Sequence, residues 1–326
     1  MNASGPMTTL ATTTAAASLS TSARAHLQHA AELADASKSD ATRRAYAADA
    51  RAYLAFCESA ELVPTTPAAV AAHVSSLVSE GRPWSSIQRR VAGVRSWLSQ
   101  QGAEDAATHP AVAAVVAGAR RTVGTATRNE RSPLLVADLE RLLAALGDCV
   151  AGRRDRALLL VGFATGLRRS ELVALDVADL AFDSRGVAIS VRRSKTDQGG
   201  AGRIVAIPFG RAATCPVRAL QAWLQSTGID SGAVWRSVNR HQQVSAARLS
   251  DKAVALVVQS VAERAGLDAS RLGAHSLRAG LVTSAVMAGA STAEVMRQTG
   301  HKSEAMVRRY TRIHDAFHGN VAGRLL

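Results

Sequence analysis

The sequence predicts a mainly α-helical protein with a small antiparallel β-sheet, arranged as two domains. Three observations carry that expectation. At 326 residues and 47% apolar content, the chain exceeds the usual single-domain length and has apolar mass enough for real cores. Apolar residues recur with the helical period over most of its length. One stretch departs from it: "GVAISVRRSK" and "RIVAIPF" are short β-branched runs around the turn "TDQGGAG", the pattern of an antiparallel hairpin.

Taken in order, residues 1–24 are rich in Ser, Thr and Ala without apolar periodicity, and are expected to be disordered. Residues 25–118 are expected to form a helical domain of about four helices. There "RAYAADARAYLAFCESA" sets Tyr46, Tyr53, Leu54 and Cys57 on one stripe, and "SSIQRRVAGVRSWLSQQG" sets Ile87, Val91, Val94 and Leu98 on another. Pro64, Pro67, Gly81, Pro83 and Gly102 punctuate them. Residues 119–133, "ARRTVGTATRNERSP", are basic and closed by Pro133, and read as an exposed linker.

The second domain spans 134–326. "VADLERLLAALG" and "RRDRALLLVGFATG" read as helices, the latter ending at Gly166, and "SELVAL" as a new helix capped by Ser170. The hairpin follows, and helices resume after Pro216. "STAE" at 291–294 is a capping-box pattern.

The 39 basic residues outnumber the 26 acidic ones, giving +13, which favours a polyanionic partner. Of that excess, residues 126–326 hold +11. No window reaches the roughly 18 uninterrupted apolar residues of a membrane span, and the start lacks a signal-peptide pattern. An unexported, cytoplasmic protein with no membrane association is expected. Cys57, Cys149 and Cys215 are odd in number and scattered, so neither a disulfide framework nor a zinc knuckle is implied.

Several polar residues stand where chemistry is available. Arg168 lies just past the helix-ending Gly166. His275 and Arg278 lie three apart, on one helical face. His301 follows Gly300, and Tyr310 lies nine residues on, with Met306 and Ile313 on its helix face. Lys195 is one of only four lysines against 35 arginines and sits in the hairpin loop, where an ammonium can act as an acid as a guanidinium cannot. Singly, each is an ordinary surface or half-buried side chain. Together, two guanidiniums, two imidazoles, an ammonium and a phenol, without a carboxylate cluster for Mg²⁺, suit phosphoryl transfer with no metal or other cofactor. The phenol would attack a DNA phosphodiester, a 5′-hydroxyl would leave, and reversal by another strand would need no ATP.

In the order Arg168, Lys195, His275, Arg278, His301 and Tyr310, the chain resembles the tyrosine recombinases, the phage-integrase family. The matching text is "ATGLRRSEL", "SKTD", "HSLRAG", "TGHKS" and "RRYTR", with 23 residues from Arg278 to His301. "TRRAYAADARAYLAFC" more loosely resembles the opening helix of the family's core-binding domain. The resemblance implies a SAM-like core-binding domain and an integrase-like catalytic domain that grip double-stranded DNA as a C-shaped clamp. It further implies that Arg168 and Arg278 hold the scissile phosphate and that Lys195 protonates the leaving oxygen. His275 would be a proton acceptor or hydrogen-bond partner, His301 would meet a non-bridging oxygen, and Tyr310 would be the covalent nucleophile. Glu171 matches an acidic position that braces Arg168.

The family acts as a tetramer on paired sites, so a homotetramer on DNA is implied, with a monomer or weak oligomer when free and accessory proteins possible. Candidate DNA contacts are Arg43, Arg44, Ser85, Gln88, Arg89, Arg120, Arg121, Arg128 and Arg240, the last within the polar stretch Asn239–Gln242. The tail after Tyr310, with Phe317, Val321, Leu325 and Leu326, could pack on its own domain or on a neighbour. A type IB topoisomerase and a non-catalytic DNA-binding regulator remain alternatives. A metal-dependent nuclease is weaker, for want of clustered carboxylates.

Overall fold

The computed structural model describes residues 20–125, 131–192 and 202–315, with no account of the side chains of 31, 35, 36, 212, 309 and 311–315. Lys195, Arg128, the turn "TDQGGAG" apart from Gly202, and the tail from Phe317 lie outside the described residues, as do residues 1–19. The chain divides into two compact units, Met1–Arg128 and Asn129–Leu326.

The first unit is built from helices α1 (Thr21–Ala36), α2 (Asp40–Ser59), α3 (Pro67–Ser79), α4 (Trp84–Gln100), α5 (Glu104–Thr108) and α6 (Pro110–Val123). Starts are written locally: Ser39 and Thr66 accept from the N–H groups of Thr42 and Ala69, and Pro67 and Pro110 sit at first helical positions. Tyr53 and Cys57 from α2 pack with Val70, Val94, Leu98 and Val112, while Ile87 and Val91 join Val74, Leu77 and Ala119 in a second cluster. Tyr46 and Leu54 are only half-buried.

Two boundaries differ from expectation. Helix α1 takes in residues 21–24, and α6 runs on to Val123 because Ala119 is a buried core residue, so Arg120 and Arg121 stand exposed on a last helical turn rather than in a linker. Six helical segments also replace the expected four or so, since α5 is a single short turn.

The second unit opens with a segment tied across a later helix. Ser132 and Leu134 donate backbone N–H bonds to the carbonyls of Arg271 and Ser276, so residues 131–133 belong to this unit's packing and not to a linker. Helices α7 (Val136–Ala144), α8 (Val150–Thr165) and the short α9 (Arg169–Val173) follow. In α8, residues 157–162 are buried without a break, which places it at the centre of the core.

Strands β1 (Leu180–Asp183), β2 (Gly186–Val191) and β3 (Arg203–Pro208) form an antiparallel sheet in that order. The expected hairpin is its β2–β3 pair, with Ile189 opposite Val205 and Val191 opposite Arg203. Strand β1, "LAFD", was not foreseen: four residues, three of them exposed, carry little pattern. After α10 (Pro216–Thr227), strands β4 (Arg236–Val238) and β5 (Val244–Arg248) make a second hairpin where only helices were expected. Its turn lacks the usual Gly; the side chain of Asn239 accepts from the N–H groups of His241 and Gln243, and Gln242 takes the left-handed conformation. Helices α11 (Asp251–Arg264), α12 (Ala274–Met287), α13 (Thr292–Thr299) and α14 (Glu304–Asp315) complete the unit. Ser291 and Glu294 cap α13 reciprocally, as the sequence predicts.

Candidate active site

Three junctions of the second unit converge: the turn between α8 and α9, the first turns of α12, and the turn between α13 and α14. Gly166 ends α8 in the left-handed conformation, φ 57°, which favours glycine, and an added Cβ would also press on Leu281 Cδ2 at 2.9 Å. Leu167 turns inward, which leaves Arg168 as the residue before α9. The helix cap is therefore Arg168 and not Ser170. Glu171, three residues on and almost fully buried, accepts from the backbone N–H of Arg168 at 3.1 Å and from its guanidinium at 2.6 Å. That carboxylate fixes both the helix start and the direction of the arginine.

Arg278 lies on α12 and is 2% exposed. Its Nη1 donates to the carbonyls of Gly166 and, at 2.7 Å, Thr299, the ends of α8 and α13. Its Nη2, also buried, has no hydrogen-bond partner among the described residues. Burial, followed by the charge of Arg168, lowers its pKa to about 10, against the opposing influence of Glu171 and Tyr310; it is cationic at neutral pH. A buried donor on a cation without an acceptor is costly to leave unmade, and an anionic oxygen would meet that need.

A third guanidinium stands here that sequence reasoning missed. Arg203, first residue of β3, donates to the carbonyls of Gln298 at 2.9 Å and Thr299 at 3.3 Å, and lies 3.7 Å from Glu171 Oε2. A Cβ on Gly300, φ 71°, would fall 2.8 Å from Arg203 Nε, so the glycine lets this arginine brace the turn that carries His301. Nothing marked Arg203 in sequence apart from 34 other arginines. Three guanidiniums around one carboxylate leave a positive excess suited to a phosphate.

His301 is 5% exposed, with Nδ1 2.7 Å from Thr299 Oγ1. Burial first, then Arg278, Arg168, His275 and Arg203, press its pKa down to about 4. Tyr310 lies on α14, its ring 5.8 Å from those of both His301 and His275. Its hydroxyl is 2.7 Å from Nε2 of the exposed His275. The helix is docked by Val307, with Tyr310 against Val282 and Val295; Met306, expected to share that face, is 41% exposed.

Arg168, Glu171, His275, Arg278, His301 and Tyr310 are thus brought together, with Arg203 added. Of the candidate DNA contacts, Arg44, Ser85, Gln88, Arg120 and Arg121 are exposed. Arg43 and Arg89 are ion-paired to Asp40 and Asp49, which commits part of their donor capacity within the first unit. Arg240 is exposed in the β4–β5 turn, its Nε 3.0 Å from His241 Nε2. Among the described residues no group of three His, Cys, Asp or Glu side chains is placed to hold a metal, and no helix is long and apolar enough to cross a membrane.

A model described as the phage integrase family matches residues 134–316. An integrase/recombinase XerD homolog of Selenomonas ruminantium is 37% identical over 297 residues, covering 89% of this chain and 86% of that protein. The tyrosine recombinase XerC of Mycobacterium tuberculosis (strain ATCC 25177 / H37Ra) is 30% identical over 284 residues, covering 83% and 88%. In fold, the chain is similar to the XerH site-specific recombinase bound to a palindromic difH substrate, with TM-score 0.57, 18% identity and coverage of 76% and 69%. A lambda integrase dimer bound to a COC′ core site gives TM-score 0.53, 19% identity and coverage of 75% and 64%. This chain belongs to the phage integrase family, the tyrosine recombinases.

Proposed function

We propose that the chain cleaves and rejoins double-stranded DNA at specific sites through a 3′-phosphotyrosine on Tyr310. The observation that carries the assignment is the hydroxyl of Tyr310 on His275 Nε2, 2.7 Å apart, at the edge of a guanidinium cluster holding a buried, unpaired donor. Arg168 and Arg278 clamp the non-bridging oxygens, held by Glu171 and by the carbonyls of Gly166 and Thr299, and His301 meets one of the same oxygens. Tyr310 Oη attacks phosphorus as its proton passes to His275, the P–O5′ bond breaks, and Lys195 gives the leaving 5′-oxygen its proton. Attack by a second strand's 5′-hydroxyl reverses these steps, so the phosphoester is conserved and neither ATP nor a metal takes part.

The second unit serves as catalytic domain. The helices of the first unit, α1 to α6, serve as core-binding domain, with the exposed face of Ser85 and Gln88 among the DNA contacts. Assembly as a tetramer on two paired sites, in the cytoplasm, follows the same reading. Most affinity then comes from Lys and Arg on phosphates, and binding weakens steeply with salt.

The test is covalent trapping on nicked duplexes, with sequencing of the trapped DNA and mapping of the adduct peptide. An adduct on Tyr310 that forms in EDTA supports the reading; an adduct on another residue overturns it. Recombination between two sites, against relaxation of a supercoiled circle carrying none, separates it from a topoisomerase.

A further inference from the structure

Thr299 closes α13 and is wholly buried, and its hydroxyl touches two groups. Oγ1 lies 2.6 Å from the carbonyl oxygen of Val295, one turn earlier, and 2.7 Å from His301 Nδ1. A carbonyl oxygen only accepts, and a hydroxyl has one proton. The proton therefore lies toward Val295, and Oγ1 turns a lone pair to the imidazole. Nδ1 must then carry the ring's hydrogen, and a neutral ring has only one. Nε2 is left bare.

We propose that Thr299 is a positioning residue that sets the tautomer of His301, so that His301 engages an oxyanion only by taking up a proton from solvent at Nε2. The proposal rests on the reading above, in which His301 meets a phosphate oxygen. A bare nitrogen repels such an oxygen, whereas an imidazolium donates to it. The titratable groups facing the ring are Arg278 and His275 from α12, Arg168 at the start of α9, Arg203 from β3 and Tyr310 from α14. The three guanidiniums and His275 oppose a further positive charge, while Glu171, the carboxylate of the cluster among the described residues, is engaged by Arg168. With no anion the ring stays neutral. An anion among the three guanidiniums reverses the field, so oxyanion and proton bind together, each raising the other's affinity.

The test reads the ring nitrogens of the full chain labelled with ¹⁵N-histidine, using long-range proton–nitrogen correlations, with His301→Gln to assign the signals. Free wild type near neutral pH should show His301 protonated at Nδ1 and bare at Nε2. Thr299→Ser should keep that pattern, and Thr299→Val, near-isosteric without a hydroxyl, should lose it in favour of the Nε2–H form. Sulfate, which does not titrate in this range, should convert the wild-type ring to imidazolium but leave the Thr299→Val ring neutral, because its Nε2 already donates.

An Nε2–H ring in free wild type, or an unchanged tautomer in Thr299→Val, overturns the positioning role. A wild-type ring that stays neutral as sulfate is raised overturns proton uptake. If Thr299→Val does not fold, the wild-type spectrum still decides. These signals need no DNA, so failure of Tyr310 to form an adduct would defeat the phosphotyrosine reading and leave the tautomer to stand or fall separately.

Discussion

Among the described residues, each unit buries one imidazole, and the two are held in opposite ways. His73, 4% exposed in the first unit, lies against the rings of Tyr53 at 5.2 Å and Phe56 at 5.1 Å. Neither of its nitrogens has a hydrogen-bond partner among the described residues. His301, 5% exposed in the second, is fixed at Nδ1 by Thr299 and faced by cations. Both have lowered proton affinity, and burial is the first cause in each; Arg90 adds to it for His73, and Arg278 with its neighbours for His301. What an arriving proton meets is different. Among aromatic rings it meets no acceptor, so protonation works against the fold. At the guanidinium cluster, a docked phosphate supplies the counter-charge, so protonation becomes a step in binding. The same direction of shift therefore expresses stability in one unit and function in the other.

The variant with the largest expected effect removes the chemistry while leaving both imidazoles in place. Tyr310→Phe should abolish the covalent DNA adduct, scored as a complex that survives denaturing electrophoresis, with the melting temperature little changed because the lost hydroxyl lies against the exposed His275. An adduct that persists would break the assignment. Next is Arg278→Lys, which keeps a charge but cannot serve two carbonyls and a phosphate as a planar fork. Cleavage of a nicked substrate should slow by on the order of 10²–10³. One carbonyl, of Gly166 or Thr299, then loses its donor, and the second unit should lose about 1–3 kcal/mol. Hydrogen exchange in the first unit, around His73, should not respond.

How much of this was legible beforehand follows the range of each interaction. The chemically distinctive residues, Arg168, His275, Arg278, His301 and Tyr310, are recognisable by type, order and spacing, and a capping box such as Ser291 to Glu294 is written within four residues. Arg203 was not legible, because its role lies in bonds to Gln298 and Thr299 some 95 residues away, and an arginine opening a strand carries no local mark of that. Thr299 was hidden for a related reason: it directly precedes the Gly300–His301 pair, yet its role rests on the direction of one hydroxyl. Ser170 was misread as a cap because cap preference favours serine, while Glu171 selects Arg168 through a bond to its backbone. The β4–β5 hairpin escaped notice because its turn is made by Asn239 and Gln242 without a glycine.

The smaller predictions turn on His73 and its surroundings. In the unfolded chain the imidazole titrates near 6.5, and in the fold its value is lower. Between the two the unfolded state holds more proton. Stability of the first unit is thus fully present above pH 6.5 and declines as pH falls toward the folded value, by at most about 1.4 kcal/mol per pH unit for one proton. Hydrogen exchange across residues 40–123 of the full chain should show that decline, and His73→Leu should flatten it; a slope undiminished in the variant would place the titration elsewhere.

Smaller again is Tyr53→Phe. The Tyr53 hydroxyl donates to the Pro64 carbonyl at 2.7 Å, and its loss should cost the first unit about 1 kcal/mol. The ring stays edge-on to His73, so the acid slope should survive and the Tyr310 adduct should form at the wild-type rate. One oxygen atom is removed from a tyrosine in each of two variants: at position 310 the cost falls on chemistry with the fold spared, and at position 53 it falls on the fold with chemistry spared.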